Sequence, residues 1–171
     1  MTDQDISSLF LEFSREKLLR QYWPRLRGCV ESLNDEQVWW RPNEASNSIG
    51  NLILHLNGNV QQWLIASFNG LEDTRNRPAE FGERHVVSTA SLLEKLGSTV
   101  RQASDVLSSL TEADLRTTLH IQGYTVSGLH VVYQVVEHFG MHYGQILYIT
   151  KSIRGEDLGF YRELDKTGRV S

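Results

Sequence analysis

Apolar residues recur along most of this chain at the three- and four-residue intervals of an amphipathic helix, and strand-like alternation is nearly absent. The first such stretch, from about Asp5 to Leu33, puts Leu11, Leu18, Leu19, Tyr22, Leu26, Val30 and Leu33 on one broad face. Asp3 or Asp5 offers its N-cap. Pro24 lies inside the pattern and predicts a kink rather than a stop. Phe10 and Phe13 lie on another side, suited to a later loop or a partner subunit. An aromatic segment follows, Val38-Trp39-Trp40-Arg41-Pro42, whose tryptophans are placed to close a bundle end.

A second helix is expected from Asn47 or Ser48 to about Phe68, with Asn69-Gly70 as its stop. Ile49, Leu52, Ile53, Leu56, Val60, Trp63 and Leu64 share a face, and His55 lies at its border beside Leu52 and Asn59. Leu54, Ile65 and Phe68 on the far side suggest a second buried surface, such as a dimer interface. Residues 71–87 are charged and irregular, longer than the connections of about 2–8 residues usual in bundles, which marks them as functional or mobile. A third helix, from about Ser88 to Leu110, carries one narrow apolar stripe through Leu92, Leu96, Val100, Ala103 and Leu107 and reads as structural. Residues 117–126 predict a small arm or hairpin bent at Gly123. Ser127 then caps a fourth helix that runs to about Arg154, with Gly155 after its end. It is apolar over most of its circumference, which makes it the central, most buried helix. Four long helices predict an all-α chain, a four-helix bundle with a long connection between helices two and three, folded as a single domain over residues 1–171.

Composition narrows the function more than the fold. The 171 residues carry a net charge of −4, so there is no electrostatic case for nucleic acid or an anionic membrane as partner. No apolar run approaches the roughly 18 residues of a membrane span. The N-terminus lacks the basic and apolar regions of a signal peptide, so a cytoplasmic location is expected. The single cysteine, Cys29, excludes an internal disulfide and a cysteine-based zinc site.

Candidate chemistry lies in the fourth helix. His138 and His142 are one turn apart on one face, flanked by Val131, Gln134, Val135, Gln145 and Ile149. Two imidazoles facing a core must each find a partner. They are either packed and hydrogen-bonded or they bind a metal, as paired histidines of other helices do. Two ligands make a poor site, since a catalytic ion takes three protein ligands and an open position. His55, on a packing border of the other strongly apolar helix, is the best third candidate. His85 and His120 fall in loop sequence, and His130 lies more than about 10 Å from His138 by helix rise. Asn59 and Gln134, one turn from a candidate ligand, are possible pocket residues, equally readable as polar lining of the bundle. Glu137 points about 100° away around the helix and is a poor general base. No serine-histidine-aspartate order, phosphate loop or dinucleotide fingerprint is present.

The segment Ser48-Ile49-Gly50-Asn51-Leu52-Ile53-Leu54-His55-Leu56, with Trp63 downstream, and the segment His138-x-x-x-His142-Tyr143-Gly144-Gln145-Ile146 together resemble the DinB/YfiT-like superfamily over nearly the whole chain. The resemblance implies a four-helix bundle in which His55, His138 and His142 hold a divalent metal, with zinc or nickel as the leading ions. It implies an enzyme less firmly: a thiol-dependent S-transferase using a low-molecular-weight thiol as cofactor, or a hydrolase of a small-molecule substrate; a homodimer is the expectation set by the far face of the second helix. A non-enzymatic helical dimer with a structural or adventitious metal is the alternative. His85 reaching in as a fourth ligand would mark that case.

Overall fold

The structure, a computed structural model, describes residues 5–162. Its helices are α1 (Ile6–Glu16), α2 (Trp23–Glu31), α3 (Asp35–Trp39), α4 (Ile49–Val60), α5 (Ser67–Asn69), α6 (Arg77–Gly82), α7 (Thr89–Ser109), α8 (Glu112–Arg116) and α9 (Gly128–Arg154). A two-stranded antiparallel hairpin, β1 (Thr118–Ile121) and β2 (Tyr124–Ser127), joins α8 to α9. Two wider, π-helical stretches, Lys17–Tyr22 and Gln61–Ala66, weld α1 to α2 and α4 to α5. The chain therefore forms four long rods: α1–α2, α4–α5, α7 and α9. Neighbouring rods pack in a ring, with α7 and α9 each touching both the first rod and α4. This is an all-α four-helix bundle.

Local chemistry explains the boundaries. Asp5 caps α1 by accepting from the Ser8 amide at 3.0 Å. Ser48 and Asn51 form a reciprocal capping box at the start of α4. Ser88 caps α7 and Ser127 caps α9. Helix α9 ends at Gly155, whose φ of 68° is a left-handed conformation that a side chain would strain. At Pro24 the predicted kink takes the form of the preceding π-helical stretch. Proline has no amide proton for the carbonyl four residues back, and the Trp23 amide reaches instead to Leu18.

Leu18, Leu26, Val30, Leu56, Leu64, Leu96, Val131, Val135, Phe139 and Ile146 form the centre of the core. Trp39 closes one end, its indole N–H donating to the Val87 carbonyl at 2.8 Å, whereas Trp40 is exposed. The far face of the second rod is a second buried surface, as expected, and much of its cover comes from the chain itself. Ile65 is buried, and Leu54 and Phe68 are partly buried against the chain's own core, so this face is largely covered from within. Residues 71–87 differ from the irregular stretch expected: they contain α6, capped by Asn76 and opened by Pro78 in its first turn. Asn51 ties α6 to α4, its amide donating to the Glu80 and Glu83 carbonyls. Cys29 is buried, and burial pushes its thiol up to about 11, so it stays protonated at neutral pH. Among the described residues no helix is long and apolar enough to cross a membrane.

Candidate metal centre

Helices α4 and α9 pack side by side, which brings His55 against His138 and His142. The Nε2 atoms of His55 and His138 are 3.1 Å apart, and those of His138 and His142 are also 3.1 Å apart. One ring nitrogen from each of the three lies within 4.8 Å of the others. His55 and His142 are buried and His138 is half-buried.

The surroundings assign the protons. His55 Nδ1 is 2.9 Å from the Glu80 carboxylate and 3.0 Å from Arg75 Nη2; since Arg75 donates to Glu80 and an ionised carboxylate can only accept, Nδ1 carries the hydrogen and donates it to Glu80. His142 Nδ1 is 2.7 Å from Gln145 Oε1 and donates likewise. In neutral imidazoles both Nε2 atoms then present lone pairs to His138. His138 has one Nε2 proton at most, so it can satisfy one of these neighbours and not both. Its own Nδ1 is buried without a partner among the described residues. Burial first, then the charges of His142, His55, Arg75 and Arg77, push the His138 pKa down to about 3. Burial also lowers that of His142. The three rings therefore converge as nitrogen donors, two of them held in the neutral form by burial, which is what a divalent cation requires.

Behind His55 lies a buried ion pair that the sequence did not announce. Arg75 donates from Nε and Nη2 to the two Glu80 carboxylate oxygens at 2.7 and 2.9 Å. Their side chains are only 5% and 10% exposed. Burial works to raise the Glu80 pKa, but hydrogen bonds from Arg75 and His55 outweigh it and hold the carboxyl below its usual range. Arg75 also donates to Gln62 at 2.9 Å, and Gln122 at the hairpin tip donates to the same oxygen at 2.6 Å. Phe81 packs on the His55 ring with centroids 4.5 Å apart. A carboxylate–histidine pair of this kind fixes a ligand's tautomer and raises its basicity.

Gly58 makes room for this arrangement. A Cβ there would overlap Glu80 Oε1 and crowd the Arg75 guanidinium. Gly58→Ala is expected to push Glu80 off His55 and weaken metal affinity about 10-fold or more while leaving the bundle's helicity unchanged. Metal titration beside circular dichroism checks this, and unchanged affinity would show that Glu80 has no influence on the ligand.

A cavity of about 400 Å³ opens beside the triad, with His55 and His138 at its floor. Asn59 and Gln134 line it, as do Trp63 and Tyr124. Arg75, Arg77, Gln122 and His130 complete its polar rim. The remaining histidines stand apart from the triad. His85 has a 97% exposed side chain and pairs with Glu83, and His120 bonds across the hairpin to Thr125. Glu137 is exposed. Glu80, Arg75, Arg77 and Phe81 share no periodicity with their neighbours, so the sequence does not mark them as site residues. The one available signal was the unusual length of the connection that carries them.

The chain matches the family described as a protein of unknown function, DUF1572, over residues 5–162. No curated protein matches it. Among solved structures, a conserved protein from Enterococcus faecalis is similar with a TM-score of 0.72 and 17% identity, covering 85% of this chain and 97% of that one. The DinB-like protein YjoA from Bacillus subtilis is similar with a TM-score of 0.66 and 18% identity, covering 86% and 96%. A DinB-like protein from Bacillus cereus gives a TM-score of 0.60 at 16% identity, covering 77% and 85%. At these identities the likeness is one of fold, and the fold is DinB-like.

Proposed function

Since the chain belongs to the DUF1572 family and has the DinB-like fold, we propose that it is a metal-dependent enzyme in which His55, His138 and His142 hold one divalent ion, zinc or nickel, for transfer of a thiol to a small electrophile or its hydrolysis. The observation that carries this reading is the convergence of three imidazole Nε2 atoms whose own hydrogen bonds leave too few protons to satisfy one another. When bound, such an ion supplies a Lewis-acid centre that favours the deprotonated form of a thiol or a water.

The chain's own residues do the rest. Glu80 and Gln145 hold two rings in the tautomer that frees Nε2. Trp63 and Tyr124 give the cavity an aromatic wall, while Asn59 and Gln134 offer amides for orientation. Among the described residues no carboxylate lines the cavity, so the nucleophile's proton leaves to solvent or to His130 at the rim. A cytoplasmic setting, where low-molecular-weight thiols stay reduced, suits this chemistry.

The test is elemental analysis of protein purified without an affinity tag, followed by assays of metal-stripped and reloaded protein on a small electrophile with and without thiol. About one equivalent of metal and turnover that tracks occupancy are expected. Protein that is metal-free and takes up neither Zn²⁺ nor Ni²⁺ would overturn the proposal.

A further inference from the structure

The cavity beside the triad has a charge character that the composition of the chain does not explain. The protein carries a net charge of −4, yet among the described residues no Asp or Glu lines this cavity, while two arginines do. The two arginines are not equivalent. Arg75 is neutralised by Glu80. Arg77 is exposed and makes no ion pair among the described residues. Its guanidinium lies over the Phe81 ring at 4.9 Å from the centroid, and Phe81 in turn packs on His55 at 4.5 Å. This stack aims an uncompensated cation at the space above the triad and limits how far from His55 it can be.

Two amides point to the same ligand chemistry. Asn59 is only 5% exposed, and among the described residues neither its buried Oδ1 nor its amide NH₂ has a hydrogen-bond partner, so its NH₂ is free to serve a ligand. Gln134 lines the cavity with no side-chain hydrogen bond among the described residues. An amide can turn its NH₂ toward an anion, and a buried amide left unpaired is costly. Trp63 and Tyr124, with ring centroids 6.2 Å apart, face the same space with apolar surface. The site thus pairs a cationic and amide-bearing side with an aromatic wall beside a metal.

We propose that the substrate is a small organic anion, with its reacting end at the metal and its negative group on Arg77, Asn59 and Gln134. This inference rests on the metal reading given above. A charge-assisted contact to arginine is stronger than a neutral one, and a bidentate carboxylate or phosphonate matches the guanidinium fork.

The test separates the two readings by stage. Cobalt-loaded protein is titrated with succinate, glutarate and adipate and with butyrate, valerate and hexanoate, using the visible cobalt spectrum to report a carboxylate entering the coordination sphere. Each pair has equal chain length and differs by one carboxylate. At the length that spans the gap, the diacid is expected to bind at least about 10-fold tighter than its monoacid partner. Arg77→Gln should bring that ratio close to unity, with cobalt stoichiometry and monoacid affinity unchanged, and Arg77→Lys should keep part of it. A cobalt-loaded wild type with no diacid preference at any length, or a preference that survives Arg77→Gln, overturns the anion assignment. A wild type that takes up no cobalt overturns the metal reading and this one with it.

Discussion

Replacing His138 by alanine is expected to abolish metal binding while the bundle stays folded. His138 is the ring that both other ligands face, at 3.1 Å from each Nε2. Its loss should lower affinity by more than the 10–100-fold typical of removing an outer-sphere partner. Its effect on the metal-free fold should be small, within about 1 kcal/mol. The ring is half-buried, its Nδ1 is an orphan among the described residues, and one of its two nitrogen neighbours is unsatisfied in any tautomer. Losing it removes packing and removes frustration together. The check is a thermal melt with and without chelator beside metal analysis. Wild type saturated at 100-fold above Kd should gain about 2.7 kcal/mol from the ion, and the variant nothing. One retained equivalent at wild-type affinity in the variant would show that the triad is not the site.

The same rings set an acid limit. In the metal-free protein His138 is held near 3 and His142 is lowered, both from 6.5. Between pH about 6.5 and about 3 the unfolded chain therefore binds more protons than the folded one, and stability falls as pH falls through that window. Above it these groups contribute no pH dependence. Glu80 acts in the same direction at lower pH: its depressed carboxyl stabilises the fold above 4.5, and this is lost as pH drops through its lowered value.

Replacing Glu80 by alanine is expected to destabilise the fold as much as truncating a large core side chain. It leaves the Arg75 guanidinium, with a side chain 5% exposed, without its counter-charge, and breaking one half of a buried pair typically costs about 3–5 kcal/mol. It also removes the acceptor of His55 Nδ1–H, so metal affinity should fall about 10–100-fold. The double change Arg75→Met with Glu80→Leu distinguishes these effects. Replacing the whole pair by apolar groups should recover most of the stability, and metal affinity should stay low because His55 still lacks its acceptor. Denaturant unfolding and metal titration of the single and double variants measure both. Recovery of full metal affinity in the double variant would mean that Glu80 acts only through the fold.

Much of this protein is determined by periodicity and by caps, both of which are local. The four rods follow from apolar residues at helical spacing, and Asp5, Ser48, Ser88 and Ser127 mark their starts because an N-cap needs only a side-chain oxygen and the next few amides. The His138–His142 pair was readable for the same reason, since one helical turn places both rings on one face. His55 could be named as a candidate by its border position, but its meeting with the pair depends on how α4 packs against α9.

Tertiary structure alone decided what stands behind His55 and what charges the cavity. Helix α6 has six residues, too few for its period to show, and its buried member is Glu80, a residue whose hydropathy predicts exposure. A carboxylate can be buried there only because Arg75, His55 and the missing Cβ of Gly58 meet it at once. Likewise Arg77 is one charge among several in a polar stretch until Phe81 and His55 aim it into the cavity. The far face of the second rod is legible as a surface to be buried, but a sequence shows what a helix must cover and not which part of its own chain covers it. Apolar burial is set by local pattern, whereas the satisfaction of a buried charge is set by partners distant in sequence. The helices and the three candidate ligands were therefore legible in the chain, and the ion pair behind His55 and the charge of the cavity were not.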